Sequence, residues 1–159
     1  MTNYDVLAID PARLTAMRER GGDEHGNAFT AAPAAGWEPL RCCLTVAAKG
    51  EAIALISYTP LPTPSPWAET GPVFVHAEQC DGYAQDSGLP PQLRTGPRIL
   101  RAYRTDRTLD YEHITYVGKG DDIEPALREL LDAPDVGEVH VRAATAQCFT
   151  FAVRPTVEA

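Results

Sequence analysis

The 159-residue sequence has no Gly-rich phosphate loop, no H-E-x-x-H, no G-x-S-x-G and no C-x-x-C. Those absences argue against nucleotide binding and zincin chemistry, and nothing points to an active-site serine. No cofactor motif takes their place, and no cofactor is expected. Basic residues are sparse: 14 against 22 acidic ones, for a net charge of -8 and a pI near 4.9. They are also scattered singly, whereas a nucleic-acid partner requires clustered cations to neutralise phosphates. The sequence therefore predicts no nucleic-acid binding. No apolar run approaches the ~18 residues of a membrane-spanning helix, so no membrane partner is expected. The opening MTNYDVLAIDPARL lacks the basic flank and apolar run of a secretory signal. Four cysteines without such a signal suit free thiols in a reducing cytoplasm, the expected location.

What is present is a globular composition, 44% hydrophobic and 23% charged. Length predicts a single domain over 1–159, able to bury about two thirds of its unfolded surface. Asp10-Pro11 reads as an N-cap followed by a first helical proline, with Gly21-Gly22 ending the helix. Residues 21–39 carry no period and read as a long loop, as does the proline-rich stretch 59–70. Strands are predicted at Val6–Ile9, Leu40–Ala47, Ala52–Tyr58, Val73–Ala77, Arg98–Thr105, Leu109–Val117, Val136–Ala143 and Gln147–Arg154, the first of them short and marginal. Leu40–Ala47 and Ala52–Tyr58 form an expected hairpin. A second helix is capped by Asp121 or Asp122 and carries an apolar stripe of Ile123, Ala126, Leu127, Leu130 and Leu131. The short connections favour antiparallel pairing. The predicted fold is α+β: a curved, mostly antiparallel sheet or partly closed barrel of about seven strands, with one or two packed helices.

Several segments occur together in an order that resembles the DUF1203 family of bacterial proteins: ETGPVFVHA, LRTGPRILRAYRTD, IEPALRELLDAPDVGEVHVRAATAQCF and the strand around Cys42. Twelve arginines against two lysines likewise suit a GC-rich bacterial gene. The resemblance runs from about Arg41 to Arg154 and implies a small single-domain protein, with no activity attached. The family's Cys-Arg pair corresponds to Cys42-Cys43. Its closing His-x-His-Asn-Ala and Gly-Cys correspond to HVRAATAQC, so His140 and Cys148 match while Arg142 stands for the second His and Ala143 for Asn.

On a strand, the adjacent Cys42 and Cys43 point to opposite faces and do not share an ion. That reading makes Cys42 a buried apolar residue and leaves Cys43 half-exposed near Arg41. The final hairpin, with Arg142 opposite Cys148 and His140 opposite Thr150, places thiol, guanidinium and imidazole on one face. A cation stabilises thiolate and histidine shuttles protons, so Cys148, His140 and Arg142 are candidate catalytic residues, with Glu138 orienting the imidazole. Arg101, among apolar neighbours, and His76, in GPVFVHAEQC, are candidate ligand-binding residues, the ligand being a small and anionic molecule. His76 and Cys80 alone make a weak metal signal, and no metal site is predicted. Two readings stay open: a small-molecule enzyme using the C-terminal hairpin, or a non-catalytic ligand-binding or protein-interaction module.

Overall fold

The computed structural model describes residues 2–156. In chain order its elements are β1 (Tyr4–Leu7), α1 (Pro11–Arg20), β2 (Ala32–Pro33), β3 (Ala52–Tyr58), β4 (Gly71–His76), β5 (Arg98–Arg104), β6 (Leu109–Val117), α2 (Glu124–Leu131), β7 (Val136–Ala143) and β8 (Phe149–Pro155). They form two antiparallel sheets within an α+β fold, of order β1-β8-β7-β5-β6 and β2-β3-β4. Among the described residues neither sheet closes into a barrel. The chain divides into two compact units: an inserted unit, Ala8–Tyr83, and a flanking unit joining the N-terminal strand to the chain from Ala84 onward.

In the flanking unit, α2 lies against β5, β6 and β7. Its Leu127, Leu130 and Leu131, together with Ile123, are buried as the apolar stripe predicts. Each such side chain contributes about 1.5–3 kcal/mol of burial. No side chain caps α2 at Ile123, but Asp122 accepts the Glu124 amide at 3.1 Å. The alternating Val139, Val141, Phe151 and Val153 of β7 and β8 are fully buried.

In the inserted unit, α1 begins as the sequence dictates. Asp10 accepts the Ala12 amide at 2.9 Å, Pro11 is the first helical residue, and Gly21 ends the helix at φ 72°, a left-handed conformation suited to glycine. β3 is central, pairing Ile53 with His76 on one side and with Ala32 on the other. The expected strand at Leu40–Ala47 is not one, and it does not pair with β3. Residues 41–43 form a turn, and Leu44 takes φ 59°. The apolar alternation there reflects tertiary burial of Leu40, Cys42 and Leu44, not a pleat. The segment is held at long range: Leu40 bridges Phe74 in parallel, the Arg41 amide donates to the Phe74 carbonyl at 2.9 Å, and the Ile9 amide donates to the Arg41 carbonyl at 3.0 Å.

Candidate functional site

The turn at Arg41–Cys43 overturns the expectation that the paired cysteines face apart. Cys42 Sγ and Cys43 Sγ lie 4.0 Å from each other. Left-handed Leu44 completes the wrap, its amide donating to the Leu40 carbonyl at 2.9 Å while the Leu40 amide donates to Thr45. A left-handed leucine costs on the order of 1 kcal/mol, and such strain concentrates at functional sites.

Because Arg41 is tied to Phe74, the turn sits beside the end of β4, where His76 projects. His76 Nδ1 lies 3.3 Å from Cys42 Sγ and 3.6 Å from Cys43 Sγ. Cys80, in the loop after β4, supplies a further sulfur. The ligand atoms of Cys42, Cys43, His76 and Cys80 all lie within 4.8 Å of one another. On the far side of the ring, His76 Nε2–H donates to Glu51 Oε1 at 2.5 Å, and Glu51 Oε2 accepts the Ala48 amide at 2.9 Å. The Ala48 amide first, and then His76, hold the Glu51 carboxyl below its ordinary value. With Nε2 engaged, Nδ1 turns its lone pair toward the sulfurs, the arrangement in which a carboxylate fixes the tautomer of a ligating histidine.

The two neighbouring thiols share a proton unequally. The hydrogen bond from Cys42, followed by the Thr45 hydroxyl and the nearness of His76, lowers the Cys43 pKa to about 5 against the opposing effect of burial. The same hydrogen bond, reinforced by burial, pushes the Cys42 thiol up. This is a titrating pair with one readily formed thiolate.

Tetrahedral zinc, with Zn–S about 2.3 Å and Zn–N about 2.0 Å, requires ligand–ligand separations of about 3.5–3.8 Å. The separations of 3.3, 3.6 and 4.0 Å bracket that range. Three soft sulfurs and one imidazole are a zinc donor set. Sequence reasoning weighed His76 with Cys80 and, separately, Cys42 with Cys43. The pairs lie more than thirty residues apart, and long-range contacts of the 40–42 segment with Phe74 and His76 unite them.

The hairpin residues fall differently from the expected register. Arg142 pairs with Phe149 and His140 with Ala152, with an irregularity between Val141 and Arg142. The extra residue, Thr150, turns Phe149 onto the His140 ring, at 5.1 Å between centroids. His140 is only 1% exposed, lies 4.4 Å from the Tyr103 ring centroid, and engages Glu138 Oε1 at 2.7 Å. Arg142 is buried, with Nε donating to the Gln147 carbonyl at 3.0 Å. Cys148 Sγ points at the Ala146 carbonyl, 3.7 Å away, and no hydrogen bond among the described residues joins it to His140. Arg101 stands directly opposite His140 in the β5–β7 register.

Among the described residues no helix is long and apolar enough to cross a membrane. No curated protein matches the sequence, and no solved structure does. The family model described as "Protein of unknown function (DUF1203)" matches residues 37–154, a span that includes all four members of the Cys/His cluster. Three quarters of the sequence falls within that match, and the chain belongs to the DUF1203 family.

Proposed function

We propose that the chain is a zinc-binding protein, with Cys42, Cys43, His76 and Cys80 as ligands. The observation that carries this reading is the convergence of three sulfurs and one imidazole nitrogen within 4.8 Å. Four protein ligands fill a tetrahedral zinc and leave no open position, which is the form of a structural centre and not of a Lewis-acid catalyst. Zinc would tie the 41–43 turn to the end of β4 and to the loop after it. The second layer fits: Glu51 orients the imidazole, the His76 amide donates to Cys42 Sγ at 3.2 Å, and Thr45 Oγ1 lies 3.1 Å from Cys43 Sγ. The test is metal analysis of the full chain purified without a metal-affinity step, together with cobalt substitution. Stoichiometric zinc and a tetrahedral cobalt–thiolate spectrum are expected. A chain that takes up neither metal overturns the reading.

A second reading retains the C-terminal hairpin of the flanking unit as a binding site for a small anionic molecule, through Arg101, Arg142 and His140, with Cys148 nearby in sequence. Its support is the cross-strand pairing of Arg101 with His140. Metabolite anions screened by thermal shift against wild type and Arg101→Met test it. Shifts abolished by the substitution support binding, and no shift with any anion ends it.

A further inference from the structure

The three sulfurs of the cluster are not equivalent. Cys42 is 2% exposed and its Sγ accepts the His76 amide at 3.2 Å. Cys43 Sγ is engaged by the Thr45 hydroxyl at 3.1 Å. Cys80 is half-exposed in the loop after β4 and makes no hydrogen bond among the described residues. Hydrogen bonds draw electron density from a metal-bound thiolate and blunt it as a nucleophile, which is one way the surroundings of a metal tune its ligands. Cys80, without such a hydrogen bond, is left the most nucleophilic of the three.

Cys80 also faces a space. It lines a shallow depression with Cys42, Arg18, Thr15 and Gln79, and the floor of that depression takes a molecule about the size of water. Cys43 does not line it. Arg18 donates through Nη2 to the His76 carbonyl at 3.0 Å, while its Nε–H is buried without an acceptor among the described residues. A guanidinium with a spare N–H, beside a centre in which three thiolates outweigh a divalent cation, draws in a small polar molecule that can accept a hydrogen bond.

We propose that Cys80 is a peroxide-reactive thiolate, and that its oxidation by hydrogen peroxide in this depression leads to a Cys42–Cys80 disulfide that expels the metal. The inference rests on the zinc reading. Size restricts the substrate: the floor has room for one water-sized group, such as the reacting oxygen of hydrogen peroxide, and not for a bulky alkyl donor. In the first step a Cys80 lone pair attacks one peroxide oxygen. The S–O bond forms, the O–O bond breaks, and hydroxide leaves toward Arg18 Nε–H and takes a proton from solvent. In the second step the Cys42 thiolate attacks the Cys80 sulfenic sulfur. The S–S bond forms, the S–O bond breaks, and the second hydroxide is likewise protonated. Two thiolates lose two electrons, and one peroxide becomes two waters. Cys42 resolves the sulfenate because it lines the same depression and its ligand atom lies within 4.8 Å of that of Cys80. The bond itself spans about 2.05 Å, so the Cys80 loop must close the remainder. Cys43 and His76 alone do not retain zinc.

The experiment treats the zinc-loaded full chain with hydrogen peroxide, follows released zinc with a chromogenic chelator, and maps disulfides by peptide mass. The zinc content is fixed before oxidant is added, so a chain without zinc overturns the zinc reading separately. Expected are equal amounts of peroxide consumed and zinc released, with a Cys42–Cys80 linkage. In Cys42→Ser a sulfenate should be trapped on Cys80, and Arg18→Met should slow release roughly tenfold or more. Zinc retained after oxidation, a linkage through Cys43, or first modification at Cys42 or Cys148 overturns the proposal while leaving the metal centre intact. These readouts on the wild-type chain hold even where a cysteine variant fails to fold.

Discussion

Asp23 shows how much one side chain contributes to the inserted unit. It is buried, and its carboxylate accepts the amides of His25 and Asn27 at 2.9 Å, the amide of Ser57 at 2.8 Å and the Asn27 side chain at 3.0 Å. Burial alone would push its pKa up, but the donors from Ser57, Asn27 and His25 outweigh it and bring the value from 3.8 to about 2. The folded-state value is the lower one, so the stabilisation is complete above the ordinary value and is lost as pH falls through about 2. Asp23→Ala should cost about 3 kcal/mol at neutral pH by leaving backbone donors unpaired, and should flatten the acid limb of stability. Urea titrations of both proteins at stepped pH check it. In the flanking unit, two residues of the predicted hairpin site should separate. His140→Ala removes a ring held by Tyr103, Phe149 and Glu138 and should cost about 3 kcal/mol. Cys148→Ser, facing only the Ala146 carbonyl, should change stability by less than ~0.5 kcal/mol in the same denaturant assay.

At the scale of elements, the sequence was readable wherever local chemistry decides. Asp10, Pro11 and Gly21 bound α1, and β3, β6 and β7 fall on their predicted ends. Asp10→Ala should therefore cost about 1 kcal/mol, seen as a lower denaturation midpoint with an unchanged slope. Long-range contacts, however, hide from local pattern. Leu40, Cys42 and Leu44 alternate as a strand would, yet the parallel bridge of Leu40 to Phe74 and the left-handed Leu44 make a turn of them. That difference decides whether two sulfurs face apart or together, so the candidate metal site was invisible while each half of it was in view. The hairpin register failed for a related reason. The connection is one residue longer than expected, which moves the partner of Arg142 from Cys148 to Phe149, and the extra residue at Thr150 then moves that of His140 on to Ala152; nothing in QCFTFAV announces either. The bulge carries Phe149 to the face of His140 and Arg142, where alternation alone had put it with Val141.

For the whole molecule, a metal tie would matter because the inserted unit is small. Its sheet has three strands, one of them only two residues long, and domains of this size bury too little surface to be robust without a staple. The single-domain expectation predicts one thermal transition for the full chain, and a strong zinc chelator should lower it by several degrees. Calorimetry with and without chelator reads both. Two transitions, of which only one moves, would make the inserted unit a separate folding domain. The strand order has a consequence for synthesis. Among the described residues β8 is the one strand that β1 pairs with, through Tyr4 with Pro155 to Leu7 with Ala152, so β1 is made long before its partner. The inserted unit, contiguous from Ala8 to Tyr83, is complete on the ribosome well before that pairing exists. During translation β1 is an unpaired edge, the state in which strands are captured by the wrong partner. A nascent chain stalled before Phe149 should therefore bind holdase chaperones through β1 and release them once β8 emerges.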